Sequence, residues 1–295
     1  MRFPGIIPAV TTPFDASGAI DRQGLQANVG GLLDAGVHGI VATGTMGEAG
    51  SLSAAERRSV IEAVARAVDG RVPVIAGISS GTPAAAIALA ADAAEAGAGA
   101  LMMLPPLGYR ADDDEIVAYY RSVAEAAGLP LMAYNNPEAS GTDMGTALLA
   151  RLHEEIDAVV AVKECSGDTR RIPALIDAAA GLEVLVGGDD WALEGFCGGA
   201  TGWVTGVADV APRDCVALYD ACRAGDLETA RGVYRRLLPL ARFDMTPKLV
   251  QYFKAAMDEV GYVGGPTRPP RLPLTDAERA ALDEAMAVLR EGAPV

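Results

Sequence analysis

Short apolar runs alternate with alanine-rich amphipathic stretches over most of the chain. The runs at 5–10, 39–42, 72–76, 100–104, 131–134, 159–163, 183–186 and 202–205 have the length and apolar character of buried strands. Between most of them, apolar positions recur at helical spacing, as at 54–68, 84–96, 115–127 and 170–179. Strand and helix in alternation imply parallel strands joined by crossover helices. Eight such units in about 220 residues suit an α/β fold of the (β/α)8 TIM-barrel type. The weakest unit is the last, because only 190–197 separates the seventh and eighth strands, so its helix must be short. A doubly wound open sheet is the alternative.

After about residue 225 the strand pattern stops. Three helices are predicted at 226–240, 247–260 and 276–290, with a Gly- and Pro-rich loop at 261–273. The chain therefore divides into a barrel over 1–224 and a helical C-terminal extension over 225–295. Helix-start signals agree with this division. Ser53-Ala54-Ala55-Glu56 and Thr275-Asp276-Ala277-Glu278 read as capping boxes, and Thr246-Pro247 reads as an N-cap followed by proline at the first helical position.

Composition narrows the function classes. Apolar residues make up 51% of the 295, enough for a large core, and the formal charge is −15. Such acidity disfavours nucleic acid and anionic membrane as partners, since both reward positive charge. Cys165, Cys197, Cys215 and Cys222 form no CxxC pair, and His38 and His153 are the only histidines, so no metal site is expected. No secretory signal pattern is visible, and no apolar run reaches the roughly 18–20 residues that span a bilayer. A cytoplasmic setting is the expectation.

The chemistry is concentrated in one residue. Of 24 cationic side chains 21 are arginine, and the three lysines are Lys163, Lys248 and Lys254. Lys163 ends the apolar run Ala158-Val159-Val160-Ala161-Val162, where active sites of such barrels lie. A desolvated lysine can lose its proton and attack a carbonyl; an arginine cannot. Tyr134 ends the preceding strand, 29 residues earlier, and is expected beside Lys163 as a proton relay. Side-chain alternation places Ala161 and Val159 beneath the lysine. The alternatives are a structural ion pair of Lys163 with Asp189 and a packed strand-end role for Tyr134. The loop Thr43-Gly44-Thr45-Met46-Gly47-Glu48 can offer backbone N–H groups to a carboxylate, and Thr45 adds a hydroxyl for proton transfer. Gly187-Gly188-Asp189-Asp190 follows the seventh strand; its two acids would repel a phosphate, and Asp190 reads as an N-cap. Cys165 borders the lysine in sequence.

Taken together, Gly44-Thr45-Met46-Gly47-Glu48, Tyr134-Asn135-Asn136-Pro137, Val162-Lys163-Glu164 and Gly187-Gly188-Asp189-Asp190 resemble the dihydrodipicolinate synthase / N-acetylneuraminate lyase family. They occur in family order, each at a strand end, and the likeness covers nearly the whole chain. The resemblance implies a Schiff base between Lys163 and a 2-oxo acid, with Tyr134 as acid/base and Thr45 as its relay partner. It also implies that the backbone around Thr45 and Met46 holds the substrate carboxylate, that Gly188 and Val204 line the pocket, that no metal or organic cofactor is used, and that the protein is a homotetramer or homodimer.

Three positions depart from the lysine-pathway synthases of that family. The second threonine of the first loop is Met46, the second tyrosine after strand four is replaced by Leu107 with Tyr109 out of register, and the arginine two residues after Tyr-Asn-x-Pro is Ala139, next to Glu138. Losing a charge-assisted partner for a carboxylate costs on the order of 1.5–3 kcal/mol, which argues against aspartate semialdehyde. The Tyr-Asn-Asn-Pro form, the stretch 162–171 and the stretch 246–251 are similar to the branch of 1-pyrroline-4-hydroxy-2-carboxylate deaminases and sugar-acid dehydratases. The expected activity is a Schiff-base lyase, either dehydratase/deaminase or aldolase, acting on a small 2-oxo acid, a keto-deoxy sugar acid or a cyclic imine. The alternatives are a 4-hydroxy-tetrahydrodipicolinate synthase condensing pyruvate with an aldehyde, and a barrel that binds 2-oxo acids without turnover.

Overall fold

In the computed structural model, which describes residues 2–291, eight short strands lie side by side in one parallel ladder. They are β1 (Gly5–Pro8), β2 (Ile40–Ala42), β3 (Val74–Gly77), β4 (Ala100–Met103), β5 (Leu131–Asn135), β6 (Val159–Glu164), β7 (Glu183–Val186) and β8 (Gly202–Thr205). Positions 292–295 of the expected extension lie outside the described residues. The ladder runs β1-β8-β7-β6-β5-β4-β3-β2, and Ala9 opposite Val41 bridges its two ends, with the Val10 N–H donating to the Val41 carbonyl at 2.9 Å. Apart from β1 beside β8, where the first strand meets the last, every neighbour in the ladder is a neighbour in sequence, which is the order of a TIM barrel and not of a doubly wound sheet. Almost all strand residues are buried, as expected where helices cover one face and the barrel interior the other.

The expected strands end within two residues of the observed ones. The helices Ala54–Val68, Pro83–Glu95, Asp113–Ala127 and Arg171–Ala178 follow the apolar periodicity, and both capping boxes form: Ser53 with Glu56, and Thr275 with Glu278. The short seventh crossover is a 3-10 turn, Asp189–Trp191, running into the helix Ala192–Cys197.

Two local readings are corrected. Thr246 does not start a helix. Its hydroxyl turns back to the Phe243 carbonyl at 2.7 Å, closing the 3-10 turn Arg242–Met245, and the helix Leu249–Glu259 begins after Lys248. Asp190 does not cap a helix either; it lies inside the 3-10 turn, and its carbonyl accepts from the Tyr234 hydroxyl. In both places a 3-10 turn takes up residues whose side chains would otherwise cap an α-helix.

Past residue 225 the described chain is helical: Leu227–Ala241, Leu249–Glu259 and Asp276–Glu291. These helices bury one apolar face each, through Val233, Leu237 and Leu240, through Val250, Phe253 and Met257, and through Leu282 and Met286. No helix among the described residues is long and apolar enough to cross a membrane. The extension is pinned to the barrel by a buried ion pair. Lys254 Nζ meets Glu48 Oε1 at 2.7 Å, with the two side chains 2% and 0% exposed. Lys254 also donates to the Pro266 carbonyl at 2.9 Å and lies over the Phe14 ring. Burial pulls the Lys254 ammonium below its ordinary pKa, and Glu48 works against that pull.

Removing one partner strands the other charge in the interior. Lys254→Met is expected to lower unfolding free energy by about 3–5 kcal/mol, read by urea denaturation. Adding Glu48→Gln to that variant should recover part of the loss; a double variant no more stable than Lys254→Met would show that the pair is not the source.

Candidate active site

The ladder between β5 and β6 sets Tyr134 directly opposite Lys163. Both side chains are buried, at 5% and 7% exposure, and Lys163 Nζ lies 4.4 Å from the centre of the Tyr134 ring. The alternation beneath the lysine is not the simple one. The register shifts between Leu131 and Met132, so that Val159 pairs with Leu131 but Ala161 with Met132, and Val160 is an extra residue. The inward sequence Lys163, Ala161 therefore does not carry through to Val159.

Lys248 pairs with Glu278 at 2.5 Å and Lys254 with Glu48 at 2.7 Å; among the described residues Lys163 makes no ion pair. Asp189, the partner in the alternative structural reading, is committed elsewhere. Its carboxylate accepts from Trp203 Nε1 at 2.9 Å and from the N–H groups of Gly206 and Val207 at 3.2 and 3.1 Å, tying down the turn after β8. Lys163 is thus, among the described residues, the one lysine of the three without a carboxylate partner, and it lines a cavity.

That space is a cavity of about 350 Å³ at the C-terminal ends of the strands. Of the residues singled out from sequence, Gly44, Thr45, Met46, Tyr134, Lys163 and Val204 line it, and Cys165 borders it. Gly188 is not in the lining; Gly187 is. A Cβ on Gly187 would stand 2.6 Å from the Glu164 carbonyl oxygen and 2.9 Å from Cys165 Cβ, so only glycine fits there beside β6. Gly188 packs instead against Trp191, whose indole a Cβ would strike.

The loop after β2 is shaped as an anion cradle. Thr43 and Glu48 bracket it with left-handed φ angles of 55° and 53°. Among the described residues no hydrogen bond uses the N–H of Thr45 or Met46, which leaves both for a carboxylate. Thr45 and Tyr134 share the cavity wall, and the Tyr134 hydroxyl accepts from a residue not foreseen, Asn136, through Nδ2 at 2.9 Å. Asn136 is fixed in turn because its Oδ1 accepts from the Ala139 N–H at 3.0 Å, capping the short helix Pro137–Ser140. It belongs to the Tyr-Asn-Asn-Pro motif, and the helix-start pattern Asn-Pro was the available signal.

Sequence reasoning missed Asp244. The 3-10 turn Arg242–Met245 carries it from the extension into the cavity wall, where its Oδ2 accepts from the Asp189 N–H at 3.3 Å. Nothing in the local pattern marks it, because the turn brings it in from a segment without strand or motif.

The electrostatics correct one expectation. Burial works to lower the pKa of Lys163, but Tyr134, Cys165, Asp244 and Asp189 together outweigh it, and the net direction is upward. The resting lysine is an ammonium, and it must release a proton before it attacks. Burial raises Tyr134, with Lys163 opposing, so its phenol is neutral at pH 7. Burial likewise pushes up the Cys165 thiol, which rests protonated. Asp244 is pushed up to about 6 by burial, again with Lys163 opposing. Among the described residues no group of three or more His, Cys, Asp and Glu side chains is placed to hold a metal ion.

A family model described as the dihydrodipicolinate synthetase family matches residues 2–289. A 4-hydroxy-tetrahydrodipicolinate synthase of Methanopyrus kandleri is 38% identical over 271 residues, covering 91% of this chain and 90% of that protein. Among solved structures, the 4-hydroxy-tetrahydrodipicolinate synthase of Methylacidiphilum fumariolicum SolV superposes with a TM-score of 0.95 at 27% identity, covering 99% and 97% of the two chains. YagE of E. coli K12, a prophage protein of the dihydrodipicolinic acid synthase family solved in complex with pyruvate, gives 0.93 at 29% identity, with 98% and 99% covered.

Asp244 also predicts a pH effect on stability. Its folded pKa lies above the ordinary carboxylate value, so the folded state gains from the proton. That gain is complete below about 3.8 and is lost as pH rises through about 6. Asp244→Asn, which cannot ionise, should therefore gain melting temperature over the unmodified chain at pH 8 by more than at pH 5. An equal gap at both values would show that the carboxylate is not held protonated by the fold.

Proposed function

The chain belongs to the dihydrodipicolinate synthetase family, class I lyases, and on that footing we propose that Lys163 forms a Schiff base with pyruvate whose enamine then adds to an aldehyde. The observation that carries this reading is the unpaired, buried Lys163 facing the Tyr134 ring on the floor of an open cavity. The 2-oxo acid carboxylate rests on the free N–H groups of Thr45 and Met46, which turns C2 toward Nζ. As Nζ attacks C2, the Tyr134 hydroxyl relays one proton from the Lys163 ammonium to the substrate carbonyl oxygen, giving the carbinolamine. The carbinolamine loses water as Tyr134 relays a second proton from its nitrogen to the leaving oxygen, which leaves the protonated imine. The protonated imine acidifies C3–H, and the resulting enamine carbon forms a bond to the aldehyde carbon. Hydrolysis or attack by an amine then frees Lys163. Asn136, donating to the Tyr134 hydroxyl, holds that oxygen toward the lysine.

The names of the relatives support condensation over elimination: the synthase of Methanopyrus kandleri and one of Methanothrix thermoacetophila, 36% identical over 286 residues, align along nearly their full length. A second reading, the elimination of water and ammonia from 1-pyrroline-4-hydroxy-2-carboxylate or of water from a keto-deoxy sugar acid, is favoured by Met46, Leu107 and Ala139, where the lysine-pathway synthases differ. Asp244 suits that chemistry too, as a carboxyl near pKa 6 able to protonate a leaving hydroxyl.

Borohydride added with pyruvate should leave a permanent mass gain that peptide mapping places on Lys163, and Lys163→Arg should show neither adduct nor turnover. Tyr134→Phe should slow turnover by about 10²–10⁴-fold while the adduct still forms on longer incubation. No adduct from pyruvate or any other 2-oxo acid would sink the reading. Consumption of pyruvate only with an aldehyde present marks the synthase; ammonia from 1-pyrroline-4-hydroxy-2-carboxylate marks the deaminase.

A further inference from the structure

A second hollow, of about 220 Å³, adjoins the cavity of Lys163. The two share Gly44, Thr45, Met102, Tyr134, Ala139 and Arg271 in their walls. Their charges differ. The larger cavity carries Glu138 and Asp244 as well as Lys163 and the shared Arg271, whereas the charged residues lining the hollow are Arg57 and Arg271, with no carboxylate. The hydroxyl-bearing side chains of Thr43 and Ser79 also line it.

Arg271 is held from one side only. Its Nη1 donates to Ser51 Oγ at 3.1 Å and lies 3.5 Å from Glu48 Oε2. Its Nε and Nη2 take part in no hydrogen bond among the described residues, and the side chain is 28% exposed. Glu48 neutralises it poorly, because that carboxylate is already shared with Lys254 at 2.7 Å and with the Arg268 N–H at 3.1 Å. Arg57 spends Nε and Nη2 on the Ala49 carbonyl, at 3.1 and 2.8 Å, and its buried Nη1 has no partner. A guanidinium with one edge fixed and the other edge open is a ready receptor for a carboxylate.

We infer that Arg271, backed by Arg57, forms a subsite for a second carboxylate on the reacting molecules, at the far end of the 2-oxo acid or on the aldehyde partner. The short side chain of Ala139 matters here. It stands with Tyr134 and Arg271 in the wall common to both spaces, so a guanidinium is supplied from residue 271 although none stands at residue 139. The selectivity of the site is then for dicarboxylates over their singly charged analogues.

The inference rests on Schiff-base formation at Lys163, and the test separates the two claims. In one arm, 2-oxoglutarate and pyruvate compete for borohydride trapping; in the other, with pyruvate fixed, an aldehyde bearing a carboxylate is compared with an uncharged one by kcat/KM. Arg271→Leu is expected to cut the preference for the carboxylate-bearing compound by roughly 10- to 100-fold in one arm, and that arm identifies which reactant carries the group. Arg271→Lys should restore part of it. Ala139→Leu, which puts a larger side chain in that common wall and leaves the guanidinium in place, should cut the same preference, and thermal melting of each variant checks folding. Unchanged ratios in both arms, or equal losses for charged and uncharged compounds, overturn the subsite alone. Absence of any trapped 2-oxo acid in the unmodified enzyme overturns the Schiff-base reading and the subsite with it.

Discussion

One buried ion pair, Glu48 with Lys254, holds the working parts of this molecule together. Glu48 ends the loop after β2 in a left-handed conformation, so its position sets the loop that presents the N–H groups of Thr45 and Met46. Lys254 belongs to the extension. The Arg268 N–H donates to the same carboxylate, and the Arg268 guanidinium lies over Phe14, donates to the Gly18 carbonyl and pairs with Glu56. Barrel loop, extension and the Arg271 segment therefore meet on one carboxylate. Two charges taken out of water are tolerated only when they face each other with further hydrogen bonds, and here those bonds come from three separated stretches of chain.

The cavity that results is electrostatically mixed. Lys163 has no carboxylate at contact distance, yet its pKa is directed upward, and Asp244 in the same wall is pushed up to about 6 by burial. An amine poised in this way resists idle reaction while the site is empty. In the proposed reaction it becomes a nucleophile when the Tyr134 hydroxyl relays its proton. The same balance separates the two halves of the site: carboxylates gather with Lys163, and the side hollow keeps two guanidinium groups.

The readings that succeeded share a physical basis. Strand ends, the Tyr134–Lys163 pairing and the two capping boxes depend on contacts within a few residues or across one βα unit, which periodicity and spacing report directly. The readings that failed depend on backbone turns or distant partners. Thr246 closes one 3-10 turn and Asp190 lies inside another, Gly187 replaced Gly188 at the wall because Trp191 claims the space beside Gly188, and the Asn136 donor to the Tyr134 hydroxyl went unforeseen. The bulge at Val160 broke a side-chain alternation that counting alone assumed.

From the order of residues alone came the closed barrel, the helical extension, the candidate lysine and tyrosine at adjacent strand ends, and the family. Each follows from apolar spacing or from motifs whose members sit close in sequence. Only the tertiary structure decided what surrounds Lys163. Asp244 and Arg271 enter the cavity walls from the extension, and the helix Leu249–Glu259 and the Glu48–Lys254 pair place that extension over the barrel mouth. Charge acts through space and not along the chain, so the protonation of the lysine and the substrate carboxylates the site can accept were legible only once those segments had been brought together.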